Sequence, residues 1–176
     1  IELTDTPFYP QEMYQCGPAA LMTLLADSGV QTTMDALVQQ VYLPVRQGSL
    51  QIEMLAATRA AGRIPYLLEP TLAAVIAELE AGRPVLVLQN LGVAWLPKWH
   101  YAVVVGANPA SSAVVLRSGT DARRETRTTT FVRTWQRGDY WAFVALKPGE
   151  LPAGANAQRY FESVSAIEQS GHADAA

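Results

Sequence analysis

The segment Gln11-Glu12-Met13-Tyr14-Gln15-Cys16-Gly17-Pro18-Ala19-Ala20-Leu21 sets the reading of the whole chain. It puts the single cysteine at the expected start of a helix. Pro18 suits the first helical turn, where its missing N–H costs nothing. Leu21, Leu24 and Leu25 share one face at i, i+3 and i+4, and Gly29 provides a left-handed stop. A cysteine at a helix N-terminus meets the positive end of the helix dipole, which favours thiolate over thiol. Gly17 lets another backbone approach closely, and the free N–H groups of the first turn can donate to an oxyanion.

Such a nucleophile needs a base, and the chain holds two histidines. His172 lies in the terminal tail. His100 opens the strand-like run Trp99-His100-Tyr101-Ala102-Val103-Val104-Val105-Gly106, so it meets Cys16 only after folding. Taken singly, a lone cysteine reads as a small buried hydrophobe, and His100 beside two aromatics as a core residue. Each in its own local motif, the two together read as a catalytic pair.

Outward from these motifs the chain divides into helices first and strands second. Residues 1–15, with Pro7 and Pro10, read as an extended arm. Thr32 and Asp35 resemble a capping box for a second helix through Val41. Ser49 is expected to cap a third, with Ile52, Leu55 and Ala56 facing inward, ending at Gly62. Leu72, Val75, Ile76 and Leu79 mark a fourth helix, closed by Gly82. Strands are expected at 63–69, 84–90, 99–106, 113–118 and 140–146, with 123–128 as an edge strand and a helical turn at 130–136. The turn Asn108-Pro109-Ala110-Ser111 joins two of the strands. This order describes an α+β domain.

Apolar residues make up 49% of the 176 and charged residues 16%, enough for one sizeable core and unlike a disordered chain. The formal net charge of -3 gives no electrostatic reason to expect nucleic acid. Six arginines between Arg117 and Arg137 are diluted by acids and read as a solvated strand face. No apolar run approaches the ~18 to 20 residues of a membrane span. No zinc spacing and no glycine-rich phosphate loop is present, so neither metal nor cofactor is expected. The four tryptophans, Trp95, Trp99, Trp135 and Trp141, read as core or cleft-wall residues.

The glutamine, the Cys-Gly-Pro-Ala-Ala-Leu block at a helix start, and the His-Tyr pair opening a valine-rich strand resemble the bacterial double-glycine leader peptidases. These are papain-like peptidases that trim bacteriocin precursors, together with stand-alone relatives. The likeness covers residues 7–147. It implies a papain-like fold whose Cys helix packs on a C-terminal antiparallel sheet. It also implies a thiolate–imidazolium pair, an upstream glutamine in the oxyanion hole, and a third residue orienting the imidazole.

Carried over, Cys16 is the nucleophile and His100 the base. Gln11 is the oxyanion donor, although it lies five residues before the cysteine, where the family more often has six. Gln15 is its competitor. The family usually places an Asp-Pro on the strand after the histidine strand. Pairing the strands about the 108–111 turn sets Ala102 near Ser118 and His100 near Thr120, so that slot holds Ser118-Gly119 and no acid. Asp121 is the alternative, pointed to the opposite face by strand alternation unless a bulge intervenes. Asn108, roughly 25 Å from His100 at strand rise, is too far.

The expected organisation is a peptidase domain at 1–148, a linker at 149–156 and a C-terminal helix at 157–176. That helix resembles the start of a tetratricopeptide repeat, or else docks on the domain. Tyr160, Phe161, Val164 and Ile167 form its apolar side, which offers a surface for a protein partner. The resemblance implies hydrolysis of a peptide bond after small residues such as Gly-Gly in a peptide or protein substrate. The rival is a papain-like domain that binds a leader peptide without cutting it. A start at Ile1 and the family likeness lead to the expectation of a periplasmic or exported protein, lipid-anchored upstream.

Overall fold

The first half of the chain folds as helices around the apolar spacing just described. The computed structural model describes residues 1–11, 15–46, 48–154 and 156–171; His172 and residues 12–14 of the opening segment lie outside them. Helix α1 (Cys16–Asp27) buries Leu21, Leu24 and Leu25 and stops before Gly29, whose φ is +87°. Helix α2 (Met34–Val41) is capped by Thr33, whose Oγ1 accepts the Ala36 N–H at 3.2 Å. The cap expected at Thr32 falls one residue early, because Thr33 is the residue that holds the extended, half-in conformation.

A two-stranded ribbon follows, β1 (Tyr42–Leu43) with β2 (Gly48–Ser49), and then helix α3 (Gln51–Ala60). Ser49 does not cap α3. The ribbon claims it, and Leu50 takes the cap position without a side-chain bond. The buried face of α3 is Met54, Ala57 and Thr58, whereas Ile52 and Ala56 are exposed. Hydropathy spacing misjudges this face because Thr58 buries its hydroxyl by donating to the Met54 carbonyl at 2.8 Å.

Strand β3 (Ile64–Leu67) precedes helix α4 (Leu72–Glu80), which Thr71 caps and which ends before Gly82 at φ +81°. The remainder is β4 (Val85–Asn90), β5 (Trp99–Asn108), β6 (Ala113–Ser118), β7 (Asp121–Arg127), α5 (Thr128–Gln136), β8 (Ala142–Leu146) and α6 (Ala157–Gln169). The order in the six-stranded antiparallel sheet is β3-β8-β4-β5-β6-β7. The molecule is therefore α+β. Strand alternation splits the core in two. Tyr101, Val103, Leu86, Leu88 and Phe143 pack against α1, α2 and α3. Ala102, Val104, Val85, Val87 and Val144 pack against α4, α5 and α6. Helices thus cover both faces of the sheet, more than the sequence reading of one helical half suggests.

The arm is tied to this sheet. Strand β4 pairs with β5 only as far as Val104, and residues 1–3 occupy the edge beyond it: Leu3 N–H donates to Val105 O at 2.8 Å and Ala107 N–H to Ile1 O at 2.9 Å. A bulge between Val104 and Gly106 makes the turn in register, and Gly106 lacks a Cβ because one would sit 2.9 Å from the Ile1 carbonyl.

The stretch read as a linker is largely exposed, but Pro152 is buried and hydrogen bonds tie Ala153 and Gly154 to the domain. Glu78, buried and paired with Arg83 at 2.7 Å, also accepts the Ala153 N–H at 2.8 Å, and Tyr66 Oη donates to Gly154 O. Helix α6 then lays Tyr160, Val164 and the fully buried Ile167 on the core beside β3, leaving Phe161 71% exposed. Ile167→Ala is expected to lower unfolding stability by about 2–5 kcal/mol, the cost of a deleted core side chain. Urea titration checks this: a loss under about 0.5 kcal/mol, the level of an ordinary surface change, would mean that α6 is not part of the cooperative unit.

Candidate active site

Cys16 occupies the first position of α1, half-buried, behind Gln15, which caps through its backbone alone: its carbonyl accepts from Ala19 N–H at 3.0 Å. The sulfur lies against β5. Burial pushes the thiol pKa up, and the backbone N–H groups of Tyr101, Gly17 and Cys16 itself only partly oppose that. Burial thus works against the thiolate that the helix dipole is expected to favour. Gly17 answers to a close approach: a Cβ there would lie 2.4 Å from Ser49 Oγ and 2.6 Å from Ser49 Cβ. Tyr101 Oη in turn donates to the Ser49 carbonyl at 3.0 Å, which ties the β1–β2 ribbon to the strand carrying His100.

The sheet register sets the surroundings of His100. Val103 pairs with Arg117, so Ala102 faces Ser118 one step further on and His100 is its diagonal neighbour on the same face. His100 Nε2 and Ser118 Oγ are 2.7 Å apart, with Ser118 buried. The other ring nitrogen, Nδ1, makes no hydrogen bond among the described residues, and His100 is not among the residues that line the cleft over Cys16. Among the described residues no hydrogen bond joins the imidazole to Cys16. Burial, then the charges of Arg124 and Lys98, pushes the His100 pKa down to about 4. Burial thus favours the uncharged form of each group and works against the thiolate–imidazolium pair that the resemblance implies.

Asp121 closes the β6–β7 turn opposite Ser118, half-exposed, with its carboxylate 3.6 Å from Arg124. Its partner is a cation, and the slot beside His100 belongs to Ser118. Asn108 sits at the far end of β5, where Oδ1 accepts the Ala110 N–H. Gln11 comes to the histidine side of the site through its backbone, donating to Gly119 O at 3.1 Å.

A cleft of about 700 Å³ opens over Cys16. Its lining includes Ser49 and Leu50 from the ribbon and the approach to α3, together with Trp99, Tyr101 and Asp139. Spacing alone misses Asp139. It stands at φ +55°, followed by Tyr140 at +54°, behind Gly138, where a Cβ would meet the Leu88 carbonyl at 2.3 Å. The sequence signal is Gly138-Asp139, a turn pair directly before the last strand. The tryptophans divide. Trp135 is fully buried, and Trp141 meets Tyr101 edge-on at 5.9 Å. Trp99, 54% exposed, lines the cleft, and Trp95, 83% exposed, lies on the 91–98 loop that precedes it.

Solved structures share this arrangement of sheet and helices. A Bacillus anthracis protein described as C39-like superposes with a TM-score of 0.70 at 12% identity, over 85% of this chain and 98% of its own. The peptidase domain of Streptococcus ComA, a bi-functional ABC transporter involved in quorum sensing, gives 0.64 at 17%, over 80% and 98%. A double glycine motif protease from an AMS/PCAT transporter, in complex with the leader peptide, gives 0.59 at 18%, over 81% and 91%. No curated protein matches the chain by sequence. A sequence profile of the Peptidase_C39-like family matches residues 3–142, a span that holds Cys16, His100 and Ser118, and on that match the chain belongs to the Peptidase_C39-like family.

Proposed function

We propose that the chain is a cysteine peptidase that cuts a peptide bond after small residues such as Gly-Gly. The observation that carries this reading is the hydrogen bond between His100 and Ser118 at 2.7 Å, on the strand whose next residue, Tyr101, backs the Cys16 sulfur in the cleft. In this reading Nδ1 of neutral His100 takes the thiol proton as sulfur attacks the carbonyl carbon. The imidazolium so formed returns that proton to the leaving amine, and water then releases the acyl group from sulfur. First-turn N–H groups, with Gln11, hold the oxyanion. The solved relative bound to a leader peptide supports a peptide occupant for the same cleft.

Peptides with an internal Gly-Gly, incubated with the protein and read by mass spectrometry, are expected to yield one cut after the second glycine. Prior alkylation of Cys16 by iodoacetamide should stop it. Cleavage that survives complete alkylation would sink the reading.

One observation favours a second reading, a domain that binds such a peptide and cuts it poorly. No carboxylate partners His100 among the described residues, and its pKa lies at about 4. Saturable peptide binding with no product after prolonged incubation would select this alternative.

A further inference from the structure

Ser49 carries a hydroxyl that the fold leaves unused. Its Oγ is buried and has no hydrogen-bond partner among the described residues. A buried hydroxyl in that condition is costly, and native structures seldom keep one without a use. It does not cap α3, since Leu50 holds that position. The rest of the residue is fixed: its backbone pairs with Tyr42 in the ribbon, and its carbonyl accepts Tyr101 Oη. The orphan group is pressed against Gly17, one residue from the nucleophile, on the wall of the cleft that holds Cys16.

We infer that Ser49 is a substrate-binding residue, whose hydroxyl turns off Gly17 into the cleft and donates to a main-chain carbonyl of the peptide beside the scissile bond. Ser49 as a whole is only half-buried, so rotation about Cα–Cβ has the cleft to turn into. The contact is to the main chain, and the wall formed by Gly48 and Ser49 gives it no need of a particular side chain. Gly17 matters to the same device, because any Cβ at that position would occupy the hydroxyl's resting place. The inference rests on the peptidase reading above and adds the group that grips the peptide.

Two probes of the Cys16 thiol separate the possibilities, each read by intact mass. Iodoacetamide needs no main-chain contact, whereas a peptidyl chloromethyl ketone ending in Gly-Gly does. In Ser49→Ala, the peptidyl probe is expected to react about tenfold more slowly, the loss of one hydrogen bond. Iodoacetamide should stay within about twofold, and the thermal midpoint should hold or rise because an unsatisfied group has gone. Replacing the amide nearest the reactive end of the probe by an ester, a weaker acceptor, should slow wild type more than Ser49→Ala. Equal peptidyl rates in wild type and variant would overturn the inference. So would a parallel fall in both rates and in thermal midpoint, which marks a structural role. A wild-type Cys16 that shows no preference for the peptidyl probe would remove the peptidase reading itself, and this inference with it.

Discussion

Cys16→Ala is expected to bring cleavage of a Gly-Gly peptide to background, and His100→Ala to lower kcat by about 1,000-fold or more, as loss of either half of a nucleophile–base pair does. The effects should not add: with the thiol gone, the imidazole has no proton to accept, and the double variant should match Cys16→Ala. His100→Ala also strips Ser118 of its partner in a buried position, at a cost of about 1–3 kcal/mol in stability. Rates are therefore read well below the thermal midpoint, and His100→Asn, which can still bond Ser118, serves as the folded control. Retention of more than a tenth of the wild-type kcat in His100→Asn would mean that the imidazole is not the base.

Ser118→Asp is expected to gain function. In wild type the imidazole is depressed to about 4 and the thiol raised, so Cys16 alkylation should climb only toward alkaline pH. A carboxylate at position 118 would meet Nε2 where Oγ now lies at 2.7 Å. An opposite charge that close favours the protonated imidazole and raises its pKa, by about 10- to 1,000-fold in proton affinity. A raised imidazole pKa populates imidazolium at higher pH, imidazolium stabilises thiolate, and the alkylation profile moves to lower pH. At pH 6 labelling should quicken by about tenfold or more. Asp121→Asn should leave the wild-type profile where it is, since that carboxylate faces Arg124. A profile unmoved by Ser118→Asp and moved by Asp121→Asn would reverse the assignment of the third position.

The local motifs lay open in the sequence because each follows from short-range rules. The start of α1 at Cys16, its leucine face and its glycine stop needed only helix periodicity and capping chemistry. The neighbourhood of Ser118 and His100 followed from pairing the two strands of a hairpin, although the bulge at Val104–Gly106, which shifts the register by one residue, had no signal in the spacing. The parts that stayed hidden depend on contacts between distant elements. Ser49 beside Gly17, Tyr101 behind the sulfur, and Asp139 on the cleft wall come together only when ribbon, sheet and turn are assembled. The charge state of the pair was hidden for the same reason. A helix terminus argues for thiolate, burial by other elements argues against it, and no local spacing reports that burial.

The hairpin that brings His100 to Ser118 also determines where this protein can change length. The bulge at Val104–Gly106 already spends one unpaired residue, and the pairing on either side of it is counted residue by residue. A single deletion between 113 and 117 would turn Ser118 to the opposite face of the sheet and leave His100 with no oxygen beside it, whereas one at Val105 would only remove the bulge. The exposed turn at 109–112 lies outside that count and can lengthen at a small entropic cost. Relatives and engineered variants should therefore vary freely at this tip while the two strands that meet there keep their lengths, and a tag or reporter loop belongs at the tip.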